Sequence, residues 1–62
     1  MIRLLAIQPG WTFQDRDGRF FGVIQHEDAM SEVMEISTHK LYAWPNKIKV
    51  KLIKIKSDGS ES

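Results

Sequence analysis

Six lysines and no carboxylate fall within residues 39–56: Lys40, Lys47, Lys49, Lys51, Lys54 and Lys56. Cations in such a run neutralise phosphates, and a row of them at strand spacing tracks a nucleic-acid backbone. Tyr42 and Trp44 stand near the start of the row, where aromatic rings serve as platforms for unpaired bases. A second account needs no ligand. Lysines on an exposed edge strand keep one sheet from pairing with another, and the aromatics then close the core. The remaining charge sharpens the contrast, because residues 1–38 hold Arg3, Arg16 and Arg19 against six carboxylates. The net charge of +1 hides this asymmetry, which points to an anionic partner and says nothing of the fold.

His26-Glu27-Asp28, with His39 further on, is the one cluster with acid/base or metal-ligand residue types. A separation of 13 residues between the histidines matches no metal-ligand template, so the cluster reads as a polar loop at a strand end. Asp15 and Asp17 flank a turn and are explained by it. The chain offers neither a phosphate-cradling glycine loop, nor a nucleophile beside a base, nor a pair of catalytic carboxylates. A chain this short has little room to enclose a pocket of about 300 Å³ in addition to a core. The expectation is a non-enzymatic domain with no cofactor, no metal and no small-molecule substrate.

The elements that must position these residues are short. With 62 residues the chain is one domain that buries only about 60% of its unfolded surface, so its stability is marginal. Zero cysteines remove disulfides and cysteine-based zinc sites, which leaves self-association or a partner as reinforcement. No apolar run approaches the roughly 18 residues of a membrane span, and residues 1–7 are too short for a secretory signal. A cytoplasmic protein without membrane attachment is expected, with a single β-rich domain over 1–56 and a disordered polar tail over 57–62.

Ile2, Leu4, Leu5, Ala6 and Ile7 make an apolar run broken only by Arg3 and closed by Pro9-Gly10, the pattern of a strand ended by a turn. Asp17-Gly18 ahead of Arg19-Phe20-Phe21 predicts a hairpin with strands over 11–15 and 19–26. Ile48, Val50 and Leu52 alternate with lysines, and the pattern then slips by one residue to Ile53 and Ile55, which predicts a last strand with a β-bulge near Leu52-Ile53. The segment 28–37 has two readings. As a helix it places Ala29, Val33 and Ile36 on one face. As a strand it alternates Met34 and Ile36 against Glu35 and Ser37, and this reading is favoured.

Two of these strands are apolar on both faces, Leu5 and Ile7 in the first and Phe21 and Val23 in the third being part of the excess. A half-exposed sheet shows polar alternation instead, so barrel closure, a helix over 28–37 or a second subunit must cover the other face.

Gln8-Pro9-Gly10-Trp11-Thr12-Phe13, Asp17-Gly18-Arg19-Phe20 and Gly22-Val23-Ile24 together resemble the opening of KOW-type modules. Trp44-Pro45-Asn46-Lys47-Ile48 is similar to the short helical turn before the last strand of SH3-like domains. These stretches cover under half the chain, and Gly22 follows the Asp-Gly turn sooner than in a KOW module. The resemblance implies an all-β, five-stranded SH3-like barrel or a strongly bent sheet that holds nucleic acid or protein, the alternative being an α+β fold with a helix near 28–37. Two functions follow as expectations. One is a nucleic-acid-binding or nucleoprotein accessory module using the lysine row with Tyr42 and Trp44. The other is a protein-interaction module, a free-standing inhibitor or adaptor, using Leu5, Ile7, Phe21 and Val23, and a purely structural homo-oligomer is a third possibility.

Overall fold

The computed structural model describes residues 1–55, so Lys56 and the 57–62 tail lie outside the described residues. Six strands, β1 (Ile2–Arg3), β2 (Thr12–Gln14), β3 (Phe20–His26), β4 (Met30–Glu35), β5 (Leu41–Pro45) and β6 (Lys49–Lys54), form one antiparallel sheet in the order β1-β6-β2-β3-β4-β5. The fold is all-β, a strongly bent sheet that does not close into a barrel. Its concave side encloses Leu4, Ile7, Phe13, Phe21, Val23, Val33 and Val50, all buried.

The turns form where the sequence predicts them, and for the expected reasons. Pro9 and Gly10 occupy the centre of a turn in which the Trp11 N–H donates to Gln8 O, with Gly10 at φ 91°. That is the type II pattern. In the β2–β3 hairpin the Asp15 carboxylate accepts the N–H groups of Asp17 and Arg19 at 2.9 Å each, and Gly18 sits at φ 88°. Gly18→Ala forces a side chain into left-handed backbone and costs roughly 1 kcal/mol. The expected result is a melting temperature lower by about 4–8 °C in thermal unfolding.

The first expected strand is corrected. Only Ile2–Arg3 is extended, and Leu4–Ala6 form a 3-10 turn. In that geometry residues three apart share a side, so Leu4 and Ile7 both enter the core while Leu5 is 54% exposed. Period three thus buries two residues of a run that period two would split between faces.

Residues 30–35 are a strand, not a helix, but its faces are the reverse of the alternation expected. Ser31, Val33 and Glu35 point inward, and Met34 and Ile36 outward. The inward polar groups have partners: Glu35 Oε1 accepts the Thr38 hydroxyl at 2.8 Å, and Arg19 Nη1 stands 3.9 Å from Glu35 Oε2. The Trp44–Ile48 helical turn is also absent as such. Trp44 and Pro45 end β5, and a turn closed from Ile48 N–H to Pro45 O leads into β6. Proline fits there because β5 is an edge strand.

Candidate nucleic-acid interface

Side chains directly opposite each other in an antiparallel pair share a face. On β6, Val50 is buried, so Lys49 and Lys51 project to the convex side. Continuing that alternation would send Lys54 inward. The bulge prevents it: β2 pairs Phe13 with Leu52 and Thr12 with Lys54, which leaves Ile53 as the extra residue and returns Lys54 to the convex side. Arg3 lies opposite Lys49 and joins them. Arg3, Lys49, Lys51 and Lys54 are all exposed. Among the described residues none has a carboxylate within ion-pairing distance, because every ion pair found uses Arg19, with Asp15, Asp17 or Glu35.

Following the register away from β6 gives two rows across the convex face. One runs Lys51, Gln14, Phe20, and the Ile36 N–H donates to Phe20 O at its end. The other runs Lys54, Thr12, Gly22, Met34, Leu41. Each row begins at a lysine, crosses one uncharged polar residue and ends on apolar side chains. Phe20 is 46% exposed and Leu41 59%. Gly22 has no side chain to fill the middle, and Ile36 Cδ1 lies 3.6 Å from the position a Cβ there would take. The surface is therefore an apolar strip beside a cationic one.

Not all the expected site residues assemble here. Lys40 is exposed at the opposite edge of the sheet, before β5, and Lys47 is exposed in the turn before β6. Tyr42 and Trp44 belong to the concave side. The Trp44 ring centroid is 4.4 Å from that of Phe21 and 5.9 Å from that of Phe13, and Tyr42 lies 5.8 Å from Phe21. Both rings are half-buried against the core, which limits the area either can offer to a base. Ile7, Phe21 and Val23, expected at an interface, are buried within the chain itself, and of that set only Leu5 is exposed. β1 covers the outer edge of β6 only at Lys49 and Val50, so Lys51 and Lys54 still stand along an edge, where lysines also keep one sheet from pairing with another.

Arg3, Gln14 and Phe20 were the residues that sequence reasoning left out. The signal for Phe20 was the hairpin register that sets it opposite Gln14. For Arg3 it was its place as the single polar residue in the first run.

His26 and His39 stand at opposite ends of β4, His39 in the following turn at φ 63°. His26 instead turns inward. Its Nε2 donates to Ile7 O at 2.7 Å, and its Nδ1 is 2.5 Å from the Ser31 hydroxyl. Ser31 donates to Asn46 Oδ1, and Asn46 Nδ2 donates to the carbonyls of Glu27 and Asp28 at 3.0 and 3.3 Å. Ser31 and Asn46 are buried. This network ties four segments together, a structural use of residues that looked like a polar loop.

Clefts of the size an enzyme site needs do open on the surface. One of about 310 Å³ lies between the 15–19 hairpin and the start of β6, lined by Arg19, Trp44, Ile48 and Lys49 among others. Of its cations, Arg19 is held by Asp15, Asp17 and Glu35, while Arg16 and Lys49 have no ion pair among the described residues. Compared with known proteins, the chain matches no protein-family model, no curated protein and no solved structure.

Proposed function

We propose that this domain works by binding nucleic acid on the convex face of its sheet, with no turnover of its own. The observation that carries this reading is the set of four exposed cations, Arg3, Lys49, Lys51 and Lys54, gathered on one face by the β1–β6 pairing and the β6 bulge and left without carboxylate partners among the described residues. Unpaired surface cations neutralise nucleic-acid phosphates in place of the counterions condensed on them, and the release of those counterions drives association.

Affinity then falls steeply with salt. Replacing Lys49, Lys51 and Lys54 by glutamine lowers affinity alike for all sequences and flattens the salt dependence by about two units of log K per log salt on single strands, at roughly 0.7 per phosphate. Fluorescence anisotropy with labelled oligonucleotides over a salt series checks this. Binding no tighter than about 10⁻⁴ to 10⁻⁶ M at physiological salt, the ordinary non-specific range, would remove the reading. A protein partner is the second reading, supported by the exposed Leu5 and by the apolar ends of both convex rows. It requires a stoichiometric complex with weak salt dependence.

A further inference from the structure

We infer that the convex face takes single-stranded rather than duplex nucleic acid, with Phe20 as the platform on which a base stacks. The inference rests on the nucleic-acid reading above and adds the strand state of the ligand and the residue that selects it.

The argument begins with what lies next to the cations. Lys51 and Phe20 occupy the same row, on β6 and β3, with Gln14 of β2 between them. Neighbouring strands are about 4.8 Å apart, so the ring stands roughly 10 Å from the lysine's own strand. A lysine stem and one sugar–base unit bridge that gap. A phosphate on Lys51 therefore brings its base over the β2–β3 side of the sheet, where Gln14 offers an amide and Phe20 a ring face. Thr12 and Gly22 in the next row are small, and the Ile36 side chain reaches toward Gly22, which brings the apolar strip nearer to Lys54.

A duplex uses such a surface poorly. Its bases show only their edges, and reading them takes a helix or ribbon that enters a groove. Here the cations lie on a sheet face, and the surface beside them is apolar: Phe20, Met34, Ile36 and Leu41 offer no donor or acceptor to a base edge. Set against a duplex backbone, the apolar strip would face phosphates and gain nothing. Against a single strand it meets the π-faces of unstacked bases, and that contact tolerates any sequence because every base has such a face. Phe20 differs from the aromatics of the concave side in this respect. Phe13, Phe21, Tyr42 and Trp44 are packed on one another, whereas Phe20 is 46% exposed, more than its position in the middle of the sheet needs.

The test compares a labelled oligodeoxythymidylate with a mixed-sequence duplex of equal length, at matched salt, on the wild-type chain and on Phe20→Leu, Phe20→Trp and the triple lysine-to-glutamine variant. Phe20→Leu keeps an apolar side chain and removes the ring. The expected result is tighter binding of the single strand than of the duplex, a loss of about 5- to 150-fold in single-strand affinity for Phe20→Leu, and retention for Phe20→Trp. The salt slope stays unchanged in both Phe20 variants, since no phosphate contact is lost. Circular dichroism and thermal unfolding confirm that each variant is folded, as an exposed position allows. Equal binding of single strand and duplex, with Phe20→Leu unchanged and the lysine variant still weakened, overturns this inference and leaves the nucleic-acid reading intact. No binding of either oligonucleotide overturns both, and the apolar strip then belongs to a protein partner.

Discussion

Phe21→Ala unfolds most of the protein at room temperature. The ring is fully buried at the centre of the concave side, 5.6 Å from Phe13 and 4.4 Å from Trp44 between centroids, with the Arg19 guanidinium 5.6 Å above it. Removing a buried phenylalanine costs about 3–5 kcal/mol, part transfer energy and part cavity. The cavity cannot collapse here by moving one neighbour, because three aromatic rings, Phe13, Tyr42 and Trp44, lean on the same site. A chain of this length carries a total stability of about 3–9 kcal/mol at 0.05–0.15 kcal/mol per residue, so the loss is comparable to the whole. Urea unfolding followed by tryptophan fluorescence is the measurement, since Trp44 reports on the same cluster. Phe20→Ala on the adjacent position of β3 is the control, expected to shift the transition by about 1 kcal/mol or less. A cooperative Phe21→Ala transition with its midpoint near that of the wild type would show that the cluster repacks.

The contrast between these neighbouring phenylalanines explains which parts of the molecule were readable from sequence. Where one local rule acts alone, the sequence is sufficient. The slip from Leu52 to Ile53 in an otherwise strict alternation allows only a bulge, and a bulge is there. Asp-Gly and Pro-Gly each admit one tight turn, and both turns form. Two equal apolar residues side by side carry no such information: Phe20-Phe21 reads the same from either face, and the pairing of Phe21 with Phe13 decides. Burial of polar residues misleads in the opposite direction. Ser31 and Glu35 look like the outward set of β4, yet a hydroxyl and a carboxylate can go inside once partners from distant segments satisfy them, and those partners, Asn46 and Arg19, lie 15 and 16 residues away. The alternation of β5 was visible in Tyr42 and Trp44, two apart, but Pro45 pointed to a turn. The candidate site followed the same division. Lys49, Lys51 and Lys54 were legible because alternation and the bulge are local, whereas Arg3 and Phe20 join them only through register across strands that are far apart in sequence.

Asn46→Ala is expected to be the most damaging change among the polar residues. Asn46 is buried at the turn between β5 and β6, and its amide serves three groups at once: Nδ2 donates to the Glu27 and Asp28 carbonyls, and Oδ1 accepts from Ser31. Truncation leaves those partners without their hydrogen bonds, at about 1–3 kcal/mol for each that water cannot reach. Water reaches some of the 27–29 turn, which is exposed, so the total is about 2–5 kcal/mol. The main chain of the same turn adds leverage, because Asn46 O accepts from Leu5 N–H and Asn46 N–H donates to Ala29 O at 3.0 and 2.9 Å. Loosening it frees the start of β6 and with it the position of Lys49, so on the proposed nucleic-acid reading oligonucleotide affinity falls together with stability. Ser31→Ala removes one member of the network and costs less, about 1–2 kcal/mol. Because the two residues share a hydrogen bond, the double variant is destabilised by less than the sum of the single changes, with a coupling of about 0.5–3 kcal/mol in urea unfolding. Strict additivity would mean that Asn46 acts only through the carbonyls of the β3–β4 turn, and that the Ser31 contact contributes nothing to holding β6 in place.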